Sequence, residues 1–172
     1  MNIKIIDTFI NNYKIKELTA YFAELSIQEQ QEFIKYLIYN LNSRQMPEDN
    51  LKRNTIVLVL ADLKCNEAVP VIINLIQEQA ESNYIGTLVY ALQDLECAEY
   101  LEQIYYLIYK GNYEVRHNIF DLLEKNKNKM SPEIHRKICS NLEKAIEEYK
   151  DILLGLYIAK DEIFNDLGKE KI

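Results

Sequence analysis

A motif written twice constrains this chain more than any other feature. Leu60-Ala61-Asp62-Leu63-Lys64-Cys65 returns as Leu92-Gln93-Asp94-Leu95-Glu96-Cys97, and the apolar residues that follow, Val69, Ile72, Leu75 and Ile76, return as Leu101, Ile104, Leu107 and Ile108. The offset is 32 residues, and each unit carries two stretches of helical periodicity. One such unit cannot bury its own apolar face, so neighbouring units must stack, and a repeat of this length predicts a helical solenoid. With only 4 Gly and 3 Pro in 172 residues, the chain has too few breakers for a many-stranded β fold. Its length suits one domain.

Residues 1–47 read as N-terminal capping helices. Ile3, Ile6, Phe9, Ile10 and Tyr13 fall at helical spacing, Asn11-Asn12 interrupts them, and Leu18, Tyr21, Phe22 and Leu25 form a second short face. Ser26-Ile27-Gln28-Glu29 has the form of a capping box. The helix it opens would bury Phe33, Ile34, Leu37, Ile38 and Leu41 and end over residues 42–46, with Pro47 starting the next. Residues 48–149 hold the helix pairs. The first A helix runs to about Lys64 with Leu51, Ile56, Val59, Leu60 and Leu63 inward. Asn66 is expected to cap the B helix, which has Pro70 in its first turn and ends near Glu81. The second pair takes Tyr84 to Glu96 and Ala98 to Lys110, and Gly111-Asn112 stops it. A worn third copy places Ile119, Phe120 and Leu123 where the first has Ile56, Val57 and Leu60. Ser131-Pro132-Glu133 then opens a helix with Ile134, Ile138, Leu142, Ile146 and Tyr149 on one face. Residues 150–172, with Leu153, Leu156, Tyr157, Ile163, Phe164 and Leu167, are predicted to form a C-terminal helix that covers the open end.

Four segments resemble HEAT repeats of the short bacterial kind. Glu67-Ala68-Val69-Pro70-Val71-Ile72-Ile73 is similar to the start of that family's B helix, Asp62-Leu63 and Asp94-Leu95 to its A-helix ending, and Asn112-Tyr113-Glu114-Val115-Arg116 to its inter-repeat entry. The resemblance covers roughly residues 48–149. It implies an all-α fold, a short right-handed α-α superhelix with capping helices at both ends, in which B helices line the concave side. The chain departs from the pattern twice. Ile85 stands where Arg53 and Arg116 predict a basic residue, and Asn126 stands where the third Asp-Leu pair would place its Leu.

Composition removes several function classes. The balance of 27 acidic and 20 basic side chains, a net −7, disfavours a general nucleic-acid binder. No apolar run approaches the length of a membrane span, and Met1-Asn2-Ile3-Lys4 opens directly into an amphipathic pattern, so a cytoplasmic protein is expected. Three cysteines in helical patterns read as thiols of a reducing compartment, with Cys65 and Cys97 packed at A-helix ends. The only histidines, His117 and His135, are followed by Asn118 and Arg136 rather than by the glutamates of HEAT-like iron enzymes, so neither metal nor cofactor is expected. Asp62 and Asp94 fit hydrogen-bond acceptors for the adjoining turns better than an acid–base pair.

What remains is surface. An inward stripe of Leu101, Ile104, Tyr105 and Ile108 would turn Glu102, Tyr106, Tyr109 and Lys110 outward. The matching outer positions of the first B helix are Pro70, Asn74, Gln77 and Glu78. Residues 48–112 hold four basic and ten acidic groups, which either steer a basic partner or serve solubility. The tyrosines either recognise a partner or pack on the next repeat. The resulting expectation is a non-catalytic protein-binding module that captures a basic protein through Glu78, Glu81, Glu102, Tyr106 and Tyr109, without nucleic acid or membrane. Its concrete form is a bacterial immunity protein that covers the cleft of a basic toxin such as a nuclease. The rivals are a HEAT-like enzyme, either a bilin lyase or a DNA glycosylase, and a scaffold whose third repeat stacks on a second molecule.

Overall fold

The computed structural model describes residues 1–43, 50–80, 82 and 84–164, and every regular element among them is helical. The chain divides into two compact units, one through Met130 and one from Ser131 onward.

The first unit begins with α1 (Ile3–Asn11) and α2 (Ile15–Ala23), separated where Asn11-Asn12 interrupts the pattern. Tyr13 takes a φ of 57° at the break, and the Lys14 amide reaches back to the Phe9 carbonyl at 2.9 Å, which closes the open carbonyls of α1 as a Schellman turn does. In α3 (Ile27–Asn42) the capping box forms: Ser26 accepts from the Glu29 amide, and the Glu29 carboxylate accepts from the Ser26 amide at 3.1 Å. Phe33 is buried against the rings of Tyr21 and Phe22.

Two rows of helices follow. In one, α4 (Asn50–Asp62) packs between α2 and α6 (Gly86–Ala91), and α6 between α4 and α8 (Tyr113–Asn126); in the other, α5 (Val69–Glu78) packs between α3 and a 3₁₀ helix over Ala98–Gln103. The end of α4 is another Schellman turn. Lys64 sits at φ 54°, and the Cys65 and Lys64 amides bond the Leu60 and Ala61 carbonyls at 2.9 Å each. A short α7 (Leu107–Lys110) ends at Gly111, and Asn112 caps α8 by accepting from the Val115 amide at 3.0 Å. A side chain at Gly111 would collide with Val115 and the Leu107 carbonyl, so glycine is required there.

Several expectations are corrected. The second B helix is not a regular α-helix: the 3₁₀ helix gives way to turns and then to α7. The reason lies in the spacing of its buried residues, Leu101, Ile104 and Leu107, whose period of three is that of a 3₁₀ helix. Tyr105 and Ile108, expected inward, are only half-buried. The second A helix is also short, passing into a 3₁₀ turn over Leu92–Asp94. In α8 the buried face is Val115, Ile119, Leu122 and Asn126, at regular α-helical steps. Phe120 is exposed in consequence. Leu51 is exposed as well. Asn66 caps no helix; its Oδ1 accepts from the Glu96 amide in the next unit at 2.9 Å. The second compact unit carries α9 (Pro132–Phe164), with no break at residue 150. Leu153, Leu156 and Tyr157, expected on a covering face, are more than half exposed. Met46, Pro47, Glu48 and Leu167 lie outside the described residues.

Within the first unit, polar bonds link residues 30 to 33 positions apart, close to the repeat offset. Lys64 pairs with Asp94 at 2.6 Å, Asn54 donates to Thr87 at 3.2 Å, Asn118 donates to the Gly86 carbonyl at 3.4 Å, and the Lys125 ammonium reaches the Gln93 carbonyl. The most buried of these linkers is Arg53. Its guanidinium donates to Gln79, to Asn54 and, at 2.6 Å, to the Tyr84 carbonyl just ahead of α6. Arg53→Met should lower unfolding free energy by about 2 kcal/mol, because the part-buried acceptors of Asn54, Gln79 and Tyr84 lose their donor, and Arg53→Lys should recover little of it without the planar fork. Denaturant titration monitored by circular dichroism checks both.

The Lys64 hydrogen bond holds the Asp94 carboxyl below its ordinary range. A carboxyl depressed in the folded state contributes stability above its unfolded value and loses it as pH falls through the folded value. Asp94→Asn should therefore cost at most about 1 kcal/mol at neutral pH, the range of an exposed ion pair. The difference from wild type should shrink to nothing in acid, measured by thermal melts across pH.

Candidate functional site

The outer face of α5 follows from what the helix buries. Burial of Val69, Ile72, Ile73, Leu75 and Ile76 leaves Pro70, Asn74, Gln77 and Glu78 exposed, as the helical spacing predicts. Glu78 closes the helix and lines a cleft of about 410 Å³ with Asn74 and, from the end of α3, Leu41, Asn42 and Ser43. Val71 and Leu75 of α5 complete the lining, so polar and apolar side chains alternate in it. Glu81 lies outside the described residues.

Glu102 belongs to the neighbouring 3₁₀ helix and is half-buried. Gln77 Nε2 donates to the Gln103 carbonyl at 3.4 Å, so the elements that carry Glu78 and Glu102 run side by side. Tyr106 and Tyr109 are half-buried, and both rings lie against Tyr105, with centroids 6.4 and 6.5 Å away. Burial pushes the Tyr106 phenol above its usual range, so it stays a neutral hydrogen-bonding tip at physiological pH. Sequence spacing placed Tyr105 on the inward stripe; the 3₁₀ winding instead makes it the centre of a three-ring cluster. The structure thus brings Tyr106 and Tyr109 together and sets Glu102 beside the α5 row. Half-burial of the rings means that packing and recognition share the same side chains.

One feature was missed by spacing arguments. Glu96, Ala98, Glu99, Tyr100, Asn126 and Lys129 line a second cleft of about 410 Å³. Asn126 is buried there, its side-chain amide donating to the Leu122 carbonyl at 2.9 Å. The departure of Asn126 from the Asp-Leu pattern was the available signal, because a polar residue at an apolar repeat position marks a place where the core opens.

The thiols divide cleanly. Cys65 and Cys97 are buried. Burial pushes the Cys65 thiol up and the Cys97 thiol up to about 11, which leaves both protonated and poorly nucleophilic at neutral pH. Cys139 is exposed, with Sγ 3.8 Å from His135 Nδ1. Among the described residues there is no group of three or more potential metal ligands and no helix long and apolar enough to cross a membrane. Compared with protein-family models, with curated proteins and with solved structures, the chain matches none.

A disulfide-exchange reagent should titrate one thiol rapidly in the native protein and three in denaturant. Cys139→Ser should abolish the fast phase, while Cys97→Ser should leave it unchanged.

Proposed function

We propose that this chain is a non-catalytic protein-binding module: a short, right-handed, HEAT-like α-solenoid whose α5 row captures a basic protein. The solenoid reading draws support from the two rows of helices and from bonds such as Lys64 to Asp94 and Asn118 to Gly86, which link residues about one repeat apart. The functional reading rests on one observation. Residues 48–112 hold ten of the chain's 27 acidic groups against four basic ones, and Glu78 and its neighbours Asn74 and Gln77 stand exposed on the outer face of α5. A concentrated acidic face raises the encounter rate of a basic partner and repels nucleic acid. The tyrosine cluster adds broad, rigid contact area with polar tips at small entropic cost. In its specific form the partner is a basic toxin, and the module is the immunity protein that covers its active cleft.

The test compares the wild-type chain with Glu78→Lys/Glu81→Lys/Glu102→Lys as baits in native host lysate, at low and at high salt. A basic protein retained by wild type, released by salt and lost from the variant is the expected result. Salt should act because the contact is between exposed charges. Equal capture by both baits would remove the acidic face from the function.

A further inference from the structure

The second half of α9 carries exposed apolar side chains. From Ile138 the sequence places Leu142, Ala145, Tyr149, Ile152, Leu156 and Ala159 at alternating steps of four and three, and the spacing runs on to Ile163. This is the a/d seam of a coiled coil, sustained beyond three heptads. Its first part is covered, with Ile138 and Ala145 buried. Its continuation is more exposed: Ile146, Tyr149, Ile152, Leu153, Leu154, Leu156, Tyr157 and Ile158 are 45–63% exposed. No charged residue occurs from Ile152 to Ala159, and a helix that is apolar all round needs neighbours.

We propose that this segment pairs with the same segment of a second copy of the chain, antiparallel, about a two-fold axis near Leu154. Three observations select that occupant. Five of these side chains, Ile146, Tyr149, Ile152, Leu153 and Leu156, lie on or beside the seam and present on the order of 500 Å² per copy, so a pair of copies buries roughly 1,000 Å², the size at which a specific protein–protein interface begins. The seam is self-complementary when run antiparallel: Tyr149 falls opposite Ala159 of the second copy and Ile152 opposite Leu156, large against small and medium against medium. A parallel pair would instead set tyrosine on tyrosine and alanine on alanine, crowding one layer and leaving a void in another. A membrane is the poorer host, since eight uncharged residues make a rod of about 12 Å, far short of the bilayer core. Gly155 lies next to the axis, and a side chain added there would meet nothing within 4 Å. The space beside the seam is therefore open to an approaching helix. The contact is isologous, as a two-fold interface requires.

Analytical ultracentrifugation of the full chain across the micromolar range tests the proposal. Wild type should sediment as a dimer that dissociates on dilution. Leu153→Glu/Leu156→Glu should raise the dissociation constant by about 100-fold or more, since two leucines leave the contact and two carboxylates enter it. Both residues are exposed, so far-UV circular dichroism should stay unchanged. In a Cys139→Ser background, Ile152→Cys/Leu156→Cys should form an intermolecular disulfide, and mass spectrometry should find position 152 joined to position 156. A wild-type monomer at every concentration, or a dimer that the glutamate pair leaves intact, would overturn the inference. Links of 152 to 152 and 156 to 156 would overturn the antiparallel geometry. A monomer that partitions onto phosphatidylcholine vesicles would assign the segment to a lipid surface instead.

Discussion

The buried guanidinium of Arg53 is the constraint on which the packing of α4 against α6 depends. A guanidinium carries five donors and no acceptor, so removing it from water is tolerable only where oxygen atoms are already waiting. Here they come from three places: Asn54 in α4, Gln79 just after α5, and the Tyr84 carbonyl ahead of α6. The turn between the first and second helix pairs is therefore held by a group rooted in the first. Apolar faces alone would permit α4 and α6 to slide, because burial is not directional. A fork that needs specific oxygens at specific places fixes their register. Burial lowers the pKa of Arg53, the direction expected when desolvation opposes the charged form, so this specificity is obtained at some cost in stability.

The same position shows why the repeats diverge. Arg53, Ile85 and Arg116 are counterparts in the sequence, yet Arg53 is buried with its donors on oxygen acceptors, Ile85 is a buried apolar residue, and Arg116 bonds the Gly111 carbonyl at the surface. Ile85 follows the Tyr84 carbonyl that Arg53 already occupies. One arginine per junction suffices there, and the next unit fills its place with a packing residue. The bonds from Lys64 to Asp94 and from Asn66 to the Glu96 amide repeat the theme at the opposite ends of the A helices. Each uses a side chain of one unit to satisfy or neutralise the following one.

Much of this was legible in the sequence, and the exceptions share causes. Helical class, the break at Asn11-Asn12, the Ser26–Glu29 capping box and the burial of Cys65 and Cys97 follow from local chemistry and from spacing. The winding of residues 98–110 did not, because an apolar residue recurs both every three and every four positions there. Only the tertiary choice of Leu107 over Ile108 decides between 3₁₀ and α. That choice in turn relocates Tyr105, and with it the centre of the aromatic cluster. Asn66 was misassigned because an asparagine after a helix reads as a local cap, whereas its acceptor is spent across the repeat. The uninterrupted course of α9 escaped notice because Lys150-Asp151 reads as a polar break; on a continuous helix those residues simply occupy the side away from the seam.

Two surfaces of opposite chemistry result, and their physics differ in range. The acidic face acts through Coulomb forces that reach several ångströms into solvent and weaken with salt. The apolar half of α9 acts only on contact, through the release of water, and its attraction persists or strengthens as salt rises. On the proposed readings, a partner drawn by the first would therefore be separable from one held by the second by ionic strength alone. The two also reinforce each other. Pairing through α9 would present two acidic faces in one particle, and a basic partner that engages both, or two partners that are themselves joined, would gain from the effective concentration this creates without any new contact. On the proposed reading, a modest groove would in this way reach an affinity that a single face would not supply.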